Sequence, residues 1–361
     1  MITQLQVQDF TILHQATFDF VPGLNAIIGS NGAGKSHVLK LAYSVAQASY
    51  EVGNGTAQNK QIWRNTLAER LLGVFRPEAL GRLTRRAQGR SRAEVRLTLA
   101  AGPDTTVDFD FSTASKTEVN LRSTPSKYAA IAPVFIPTKE VLSLFPGLRG
   151  LYTEREIAID ETYPALCERL DRPMLKGPRL ELVKKMLPAL EAMMGGSVKL
   201  ENGRFYLYPH QGGQMEIDLV AEGIRKIALL AYLLGNGSLS GKTTLFWDEP
   251  EANLNPLLIE KLAPVLCDIA DSGIQVILAT HSLYLLRELD LLNKERGTQA
   301  RFFSLGRAEN TLPDTDSVAT SPQLLLDQAD DLEKLNPIPA LDAEIAQTDR
   351  YMQWLNSHAH A

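Results

Sequence analysis

Apolar and polar positions along the chain open with three short runs within residues 1–29: LQVQDFTIL, ATFDF and LNAIIG. Alternation with period two, or a short apolar run beside turn residues, predicts strands. Directly after them, GSNGAGKSHVLKLAYSVAQASY passes from a glycine-rich turn into apolar spacing of three and four, which predicts a helix. VRLTLAAGPDTTVDFDF alternates on both sides of a Gly-Pro-Asp turn and predicts an antiparallel hairpin. APVFIP reads as a further short strand. Residues 138–195 read as mostly helical, broken at Pro146, Gly147, Pro164, Pro173 and Pro178. VKLENGRFYLY places Asn-Gly between alternating runs, a strong hairpin signal. AEGIRKIALLAYLLG has helical apolar spacing and stops at Gly235. The strand TLFW, a helix from about Pro256 to Ala270, the strand IQVILAT and a helix after His281 then follow in order. Such β-α-β-α alternation predicts a parallel sheet.

Composition narrows the picture only a little. A length of 361 residues allows one large or two modest domains with a real core. A net charge of -5 does not advertise nucleic acid for the chain as a whole, although local patches can still bind it. Two distant cysteines, Cys167 and Cys267, predict a reducing compartment and no zinc or disulfide framework. The start MITQLQVQDF lacks the basic and apolar regions of a signal peptide, and no apolar run reaches the length of a membrane span. The expectation is a cytoplasmic protein with no membrane partner.

Candidate chemistry begins with TLFWDEPEANLNP, residues 244–256, where an apolar strand runs straight into Asp248 and Glu249. A phosphate loop upstream accounts for the pair. Gly29-Ser30-Asn31-Gly32-Ala33-Gly34-Lys35-Ser36 fits G-x-x-x-x-G-K-[ST], with a strand before it and a helix after it. The glycines let backbone N–H groups converge on phosphate oxygens, and the following helix points its positive end at the same anion. Lys35 is placed to reach the β- and γ-phosphates of ATP, and the Ser36 hydroxyl to bind Mg²⁺. Acids at the carboxyl end of a parallel strand face the ligand crevice. Asp248 is therefore the candidate for holding Mg²⁺ and Glu249 for orienting or deprotonating the attacking water. A chance glycine loop and a solvated strand end are the plainer alternatives. The strand–loop–helix context weighs against the first, and two acids after a buried strand against the second.

On these residues the chain resembles the ATP-binding-cassette type of ATPase. Its soluble, non-transporter branch is the closer one, with the overcoming-lysogenisation-defect, structural-maintenance-of-chromosomes (SMC) and RecF-like ATPases. The resemblance covers residues 1–50 and 215–305. It implies an α/β P-loop NTPase fold: an ABC-ATPase-like core with a mainly parallel sheet, an antiparallel β subdomain and an inserted helical lobe. The expected partition is a core at 1–50 and 196–310, an insertion at 51–195 and an acidic, helical tail at 311–361. The resemblance also makes DEPEANLNP a Walker B strand end leading into a D-loop, with Asn255 where aspartate is frequent. His281 in ILATHS becomes the histidine that senses the γ-phosphate; a structural hydrogen bond is its plainer role. The element that binds the opposite subunit's ATP becomes Ala221-Glu222-Gly223, lacking the usual serine and first glycine; its Glu-Gly-x-x-Lys pattern, Glu222, Gly223 and Lys226, looks like that of the overcoming-lysogenisation-defect branch. An ordinary amphipathic helix is the alternative there. Lys139 and Glu140 in FIPTKE are candidates for the glutamine-loop position.

The resemblance implies a nucleotide-sandwich dimer or higher homo-oligomer that gates a separate effector, such as a nuclease, in DNA repair or anti-phage defence. The alternative is the ATP-binding subunit of a membrane transporter. Nine arginines fall between Arg64 and Arg96. Of these, Arg82, Arg85, Arg86 and Arg90 are candidates for contacting DNA phosphates, because the guanidinium fork binds two oxygens at once. A solvated helix face, or pairing with the acidic surface elsewhere, is the alternative. In the tail, Leu341, Ile345, Met352 and Leu355 have approximately helical spacing, which suits docking on the core or on a partner.

Overall fold

The structure, a computed structural model, describes residues 1–56, 58–86, 89–100, 102–155, 158–176, 183–307 and 324–358. The first part of the expected tail, 311–323, and two short pieces of the expected helical stretch, 156–157 and 177–182, lie outside the described residues.

Three sheets organise the chain. A six-stranded sheet is built from β3 (Leu24–Gly29), β7 (Val134–Ile136), β11 (Thr244–Asp248), β12 (Gln275–Thr280), β13 (Ala300–Arg307) and β14 (Leu324–Ala329), in the order β14-β13-β3-β12-β11-β7. All neighbours in it are parallel except β14, which lies antiparallel on β13. A five-stranded antiparallel sheet joins β1 (Ile2–Phe10), β2 (Leu13–Asp19), β4 (Arg92–Leu99), β5 (Val107–Ser112) and β6 (Asn120–Ser123), in the order β2-β1-β4-β5-β6. A small antiparallel sheet holds β8 (Gly196–Glu201), β9 (Arg204–Pro209) and β10 (Met215–Glu216). At the β8–β9 turn, Asn202 and Gly203 both have positive φ, 50° and 75°, which is the conformation Asn-Gly favours.

The helices fall on both faces of the parallel sheet. They are α1 (Lys35–Asn54), α2 (Lys60–Phe75), α3 (Phe145–Arg155, kinked at Pro146 and Gly147), α4 (Thr162–Leu170), α5 (Leu187–Met194), α6 (Glu222–Gly235), α7 (Pro256–Asp271), α8 (Leu283–Arg296) and α9 (Pro339–His358). Local signals set their starts: Asn255 caps α7 ahead of Pro256, and Ser282 caps α8. A sheet covered on both faces needs strands that are apolar throughout. In β11, Leu245 and Trp247 enter a core shared with α4 to α8, while Phe246 enters a second core shared with α1, α2 and the antiparallel sheet.

The layers cut across the partition expected from the sequence. The stretch 51–195 does not form a body of its own. Its strands β4 to β6 extend the sheet begun by β1 and β2, and β7 is the edge strand of the parallel sheet. Past residue 311 the chain is not only helical, because β14 completes the opposite edge. Of the tail residues at helical spacing, only Leu341 at the start of α9 packs on the core, partly buried beside Ala340. Among the described residues the helix has none fully buried, and Ile345, Tyr351, Met352 and Trp354 are more than half exposed.

Candidate functional site

The phosphate loop links the end of β3 to the start of α1. Gly32 and Gly34 have φ of 73° and 97°, values that side chains rarely tolerate. A Cβ on Gly29 would lie 2.4 Å from the Leu305 carbonyl oxygen, so the loop also needs glycine to pass β13. Gly34 precedes α1 without any side-chain cap, and the first turn carries no acid. The turn's free N–H groups and the positive helix end are thus left for an anion. Ser30, Asn31 and Gly32 line the open side, while Ala33 is buried beneath them. Lys35 is buried and folds back across the loop, with Nζ donating to the carbonyls of Gly29 at 2.7 Å and Ser30 at 3.2 Å. Burial lowers its pKa, while the charges of Glu249, Asp248 and Glu251 oppose that shift.

Ser36 and Asp248 meet directly. The serine hydroxyl donates to Asp248 Oδ1 at 3.1 Å. Burial raises the Asp248 pKa, and hydrogen bonds from Ser36 and from Thr138 pull it back down. Thr138 follows β7, so the carboxyl ends of β7 and β11 and the foot of α1 converge on one point. A hydroxyl beside a buried carboxylate is a hard-oxygen pair, a donor set that fits Mg²⁺.

Successive strand residues point to opposite sides, so two adjacent acids reach one crevice only across a bend. The bend is at Glu249, whose φ is 53°. Its N–H donates to the Ala279 carbonyl at 2.8 Å. His281 Nδ1 lies 3.4 Å from Glu249 Oε1 and 3.6 Å from Glu251 Oε1. Glu251 is buried. Its Oε1 accepts from Thr280 Oγ1 at 2.6 Å and from the His281 N–H at 3.1 Å, while Oε2 has no partner among the described residues.

The Ala221-Glu222-Gly223 segment opens α6. Ala221 is extended and exposed, Glu222 begins the helix, and no side chain caps it. Gly223 departs from its expected exposure to a neighbouring subunit. It is buried against its own chain, where a Cβ would lie 2.3 Å from the Asn253 carbonyl oxygen. Asn255 is exposed and accepts from the Leu258 N–H at 2.9 Å. In the segment after β7, Lys139 is exposed, whereas Glu140 is buried with Arg225 Nε at 3.4 Å. Thr138 and Glu251 lie in this neighbourhood although neither stood out in the sequence, and so does Lys226, the lysine of the Glu-Gly-x-x-Lys pattern. A third acid in DEPE was the signal available for Glu251.

The arginines mostly meet acids. Arg82 pairs with Glu78 at 3.1 Å, Arg85 lies 3.9 Å from Asp9, and Arg64, Arg70, Arg92 and Arg96 also have carboxylate partners. Arg86 and Arg90 are exposed, and among the described residues neither forms an ion pair. No described helix is long and apolar enough to cross a membrane.

Residues 24–287 match the protein family described as "AAA domain, putative AbiEii toxin, Type IV TA system". The chain belongs to this family. It is a P-loop ATPase with the α/β fold expected from the sequence. DNA replication and repair protein RecF of Escherichia coli O1:K1 / APEC and that of Escherichia coli strain K12 / DH10B are each 31% identical to it over 98 residues, 26% of this chain and 27% of theirs. The chain thus matches about a quarter of the length of these relatives. Two solved structures share the fold. One is an SMC head bound to the C-terminal winged-helix domain of ScpA, with a TM-score of 0.53 at 15% identity, covering 92% of this chain and 98% of that one. The other is an SMC head with an extended coiled coil bound to the C-terminal domain of ScpA derived from Pyrococcus furiosus, with a TM-score of 0.50 at 14% identity, covering 97% and 99%.

Proposed function

We propose that the chain is a Mg²⁺-dependent ATP hydrolase acting in the cytoplasm as a nucleotide-switched dimeric clamp. Two copies close over shared ATP and gate a separate effector, such as a nuclease, in DNA repair or anti-phage defence. One observation carries the hydrolytic part: the Ser36–Asp248 hydrogen bond at the foot of α1, with Glu249 bent onto the same crevice. In this reading the loop N–H groups and Lys35 bind and orient the phosphates. Ser36 and Asp248 would hold Mg²⁺, which when bound neutralises charge on the β- and γ-phosphate oxygens. Glu249 takes the proton of the attacking water, and His281 beside it orients that carboxylate and meets the γ-phosphate. Ala221, Glu222 and the α6 N-terminus offer an uncapped positive end to the other copy's nucleotide, near the exposed Asn255.

The RecF relatives and the family's toxin–antitoxin description favour nucleic-acid repair or defence over transport. If DNA is bound, Arg86 and Arg90 are the freest of the four candidate arginines. Arg82 and Arg85 contribute only by leaving their acids.

The test is Glu249→Gln, followed by calorimetry, phosphate release and light scattering. The expected outcome is retained ATP binding, turnover lower by roughly 100- to 10,000-fold, and an ATP-dependent rise to dimer mass. Wild-type turnover would place the base elsewhere. A monomer with ATP bound would remove the clamp and leave the base assignment standing.

A further inference from the structure

Lys226 is an unusual residue to find where it is. It lies on α6, is fully buried, and is surrounded by the charges of Glu222, Glu251, Glu249 and Asp248. Burying an ammonium is costly without compensation, and burial does push its pKa down against those four acids. A methionine would fill the same space without that cost. Among the described residues the ammonium makes one hydrogen bond, and its acceptor is the Glu249 carbonyl at 3.3 Å.

That carbonyl belongs to the residue with the strained backbone. A non-glycine residue in the left-handed region costs about 1–2 kcal/mol, so surrounding contacts must hold it there. At Glu249 two contacts do so from opposite sides: the N–H bonds to Ala279 on β12, and the C=O accepts from Lys226 on α6. The same helix touches the following turn a second time, at Gly223 against the Asn253 carbonyl. Both contacts lie within four residues of the α6 N-terminus.

We infer that Lys226 is a positioning residue for Glu249: its ammonium holds the Glu249 peptide in the left-handed turn that aims the carboxylate at the crevice, so the start of α6 and the hydrolytic acid move as one unit. The inference rests on the reading of Glu249 as the group that handles the attacking water. It adds that whatever displaces the first turn of α6 displaces that group too, within the same chain.

The experiment compares Lys226→Met, Glu249→Gln and the double variant in the full chain. In Lys226→Met, ATP affinity by calorimetry should stay within about threefold of wild type, because Lys226 does not line the phosphate loop. Turnover should fall by roughly 10- to 100-fold, the scale of a misplaced reacting group. Lys226→Arg, which keeps a cation and donor, should recover part of it. Adding Lys226→Met to Glu249→Gln should change the residual turnover by less than about twofold, since the group being positioned is already gone. Without nucleotide, amide exchange over residues 248–254 should speed up in Lys226→Met while exchange in α1 stays unchanged. Wild-type turnover in Lys226→Met with Glu249→Gln inactive would overturn this inference alone. Equal losses from Lys226→Met in both backgrounds would overturn it as well. Full turnover in Glu249→Gln would overturn the underlying reading instead. If Lys226→Met does not fold, Lys226→Gln is held to the same criteria.

Discussion

Lys35 has two sets of partners that it cannot satisfy together. Its Nζ is spent on the Gly29 and Ser30 carbonyls, and the charges of three acids lie around it. Nucleotide phosphates would offer a better acceptor than either carbonyl, because hydrogen bonds to charged groups are the stronger kind. Lys35→Ala should therefore weaken ATP affinity by roughly 10- to 150-fold, the equivalent of one or two charge-assisted bonds. Calorimetry with Mg²⁺ checks this, and an unchanged affinity would mean that the phosphates sit elsewhere. The loop, the two strand-end acids and His281 were legible in the sequence as positions, because each sits in a short motif whose strand or helix context can also be read. Thr138 and Glu251 were not, and Lys226 was legible only as the lysine of the Glu-Gly-x-x-Lys pattern, not as a neighbour of Glu249. What each of them does depends on packing and on neighbours more than twenty residues away, and a lysine in an amphipathic helix reads as a surface residue until the packing is known. The bend that lets Asp248 and Glu249 share a crevice was implied by two acids in succession. Its means, a left-handed glutamate, was not, since that conformation has no marker of its own outside glycine and asparagine.

At the scale of elements, period and turn chemistry carried furthest where an element depends on its own residues. The Asn-Gly hairpin, the helix after the phosphate loop and the strand–helix alternation around 244–296 all stand where the pattern put them. The edges of the sheets were harder to read. β6 and β14 are short, partly polar strands whose existence depends on a partner strand already in place. α6 shows the opposite failure, an element read correctly whose contacts were not. Its glycine was expected to face outward, but it presses on the turn at Asn253 and Leu254. Gly223→Ala would put a Cβ within 2.3 Å of a backbone oxygen and 2.9 Å of Leu254 Cδ2. Backbone cannot yield as a side-chain tip can, so the variant should lose about 1–3 kcal/mol of stability, as overpacked sites do. Denaturant unfolding measures this loss, and a variant within about 0.5 kcal/mol of wild type would show that the helix can slide off the turn at little cost. An aspartate at this position would test folding and phosphate repulsion at once, which makes alanine the cleaner probe.

For the molecule as a whole, the described C-terminal residues divide into a part that belongs to the core and a part that does not. β14 pairs along β13 from Phe302–Ala329 to Arg307–Leu324 and covers what would otherwise be an open edge. Gln328 bonds to Asp19 at 2.7 Å and so ties that edge to β2. Leu335 and Ile338 are buried in the same core as α6 and α7. Beyond them, α9 contributes the partly buried Ala340 and Leu341 and an ion pair between Glu344 and Arg287 with both partners about half exposed. Exposed pairs of that kind are worth about 0–1 kcal/mol. A chain ending at Asp342 should therefore unfold within about 1 kcal/mol of the full chain and keep its ATP affinity. A chain ending at Arg307 loses two buried side chains worth about 1.5–3 kcal/mol each and uncovers β13. An unpaired edge in a sheet this apolar is a template for association. The longer truncation should thus be less stable by at least about 3 kcal/mol and scatter light at micromolar concentration. Urea midpoints and light scattering on the two truncations separate these outcomes. If the chain ending at Asp342 is as unstable as the chain ending at Arg307, α9 is holding the fold through contacts its exposed side chains do not make here. If both are as stable as the full chain, the β13 edge is protected by something other than β14.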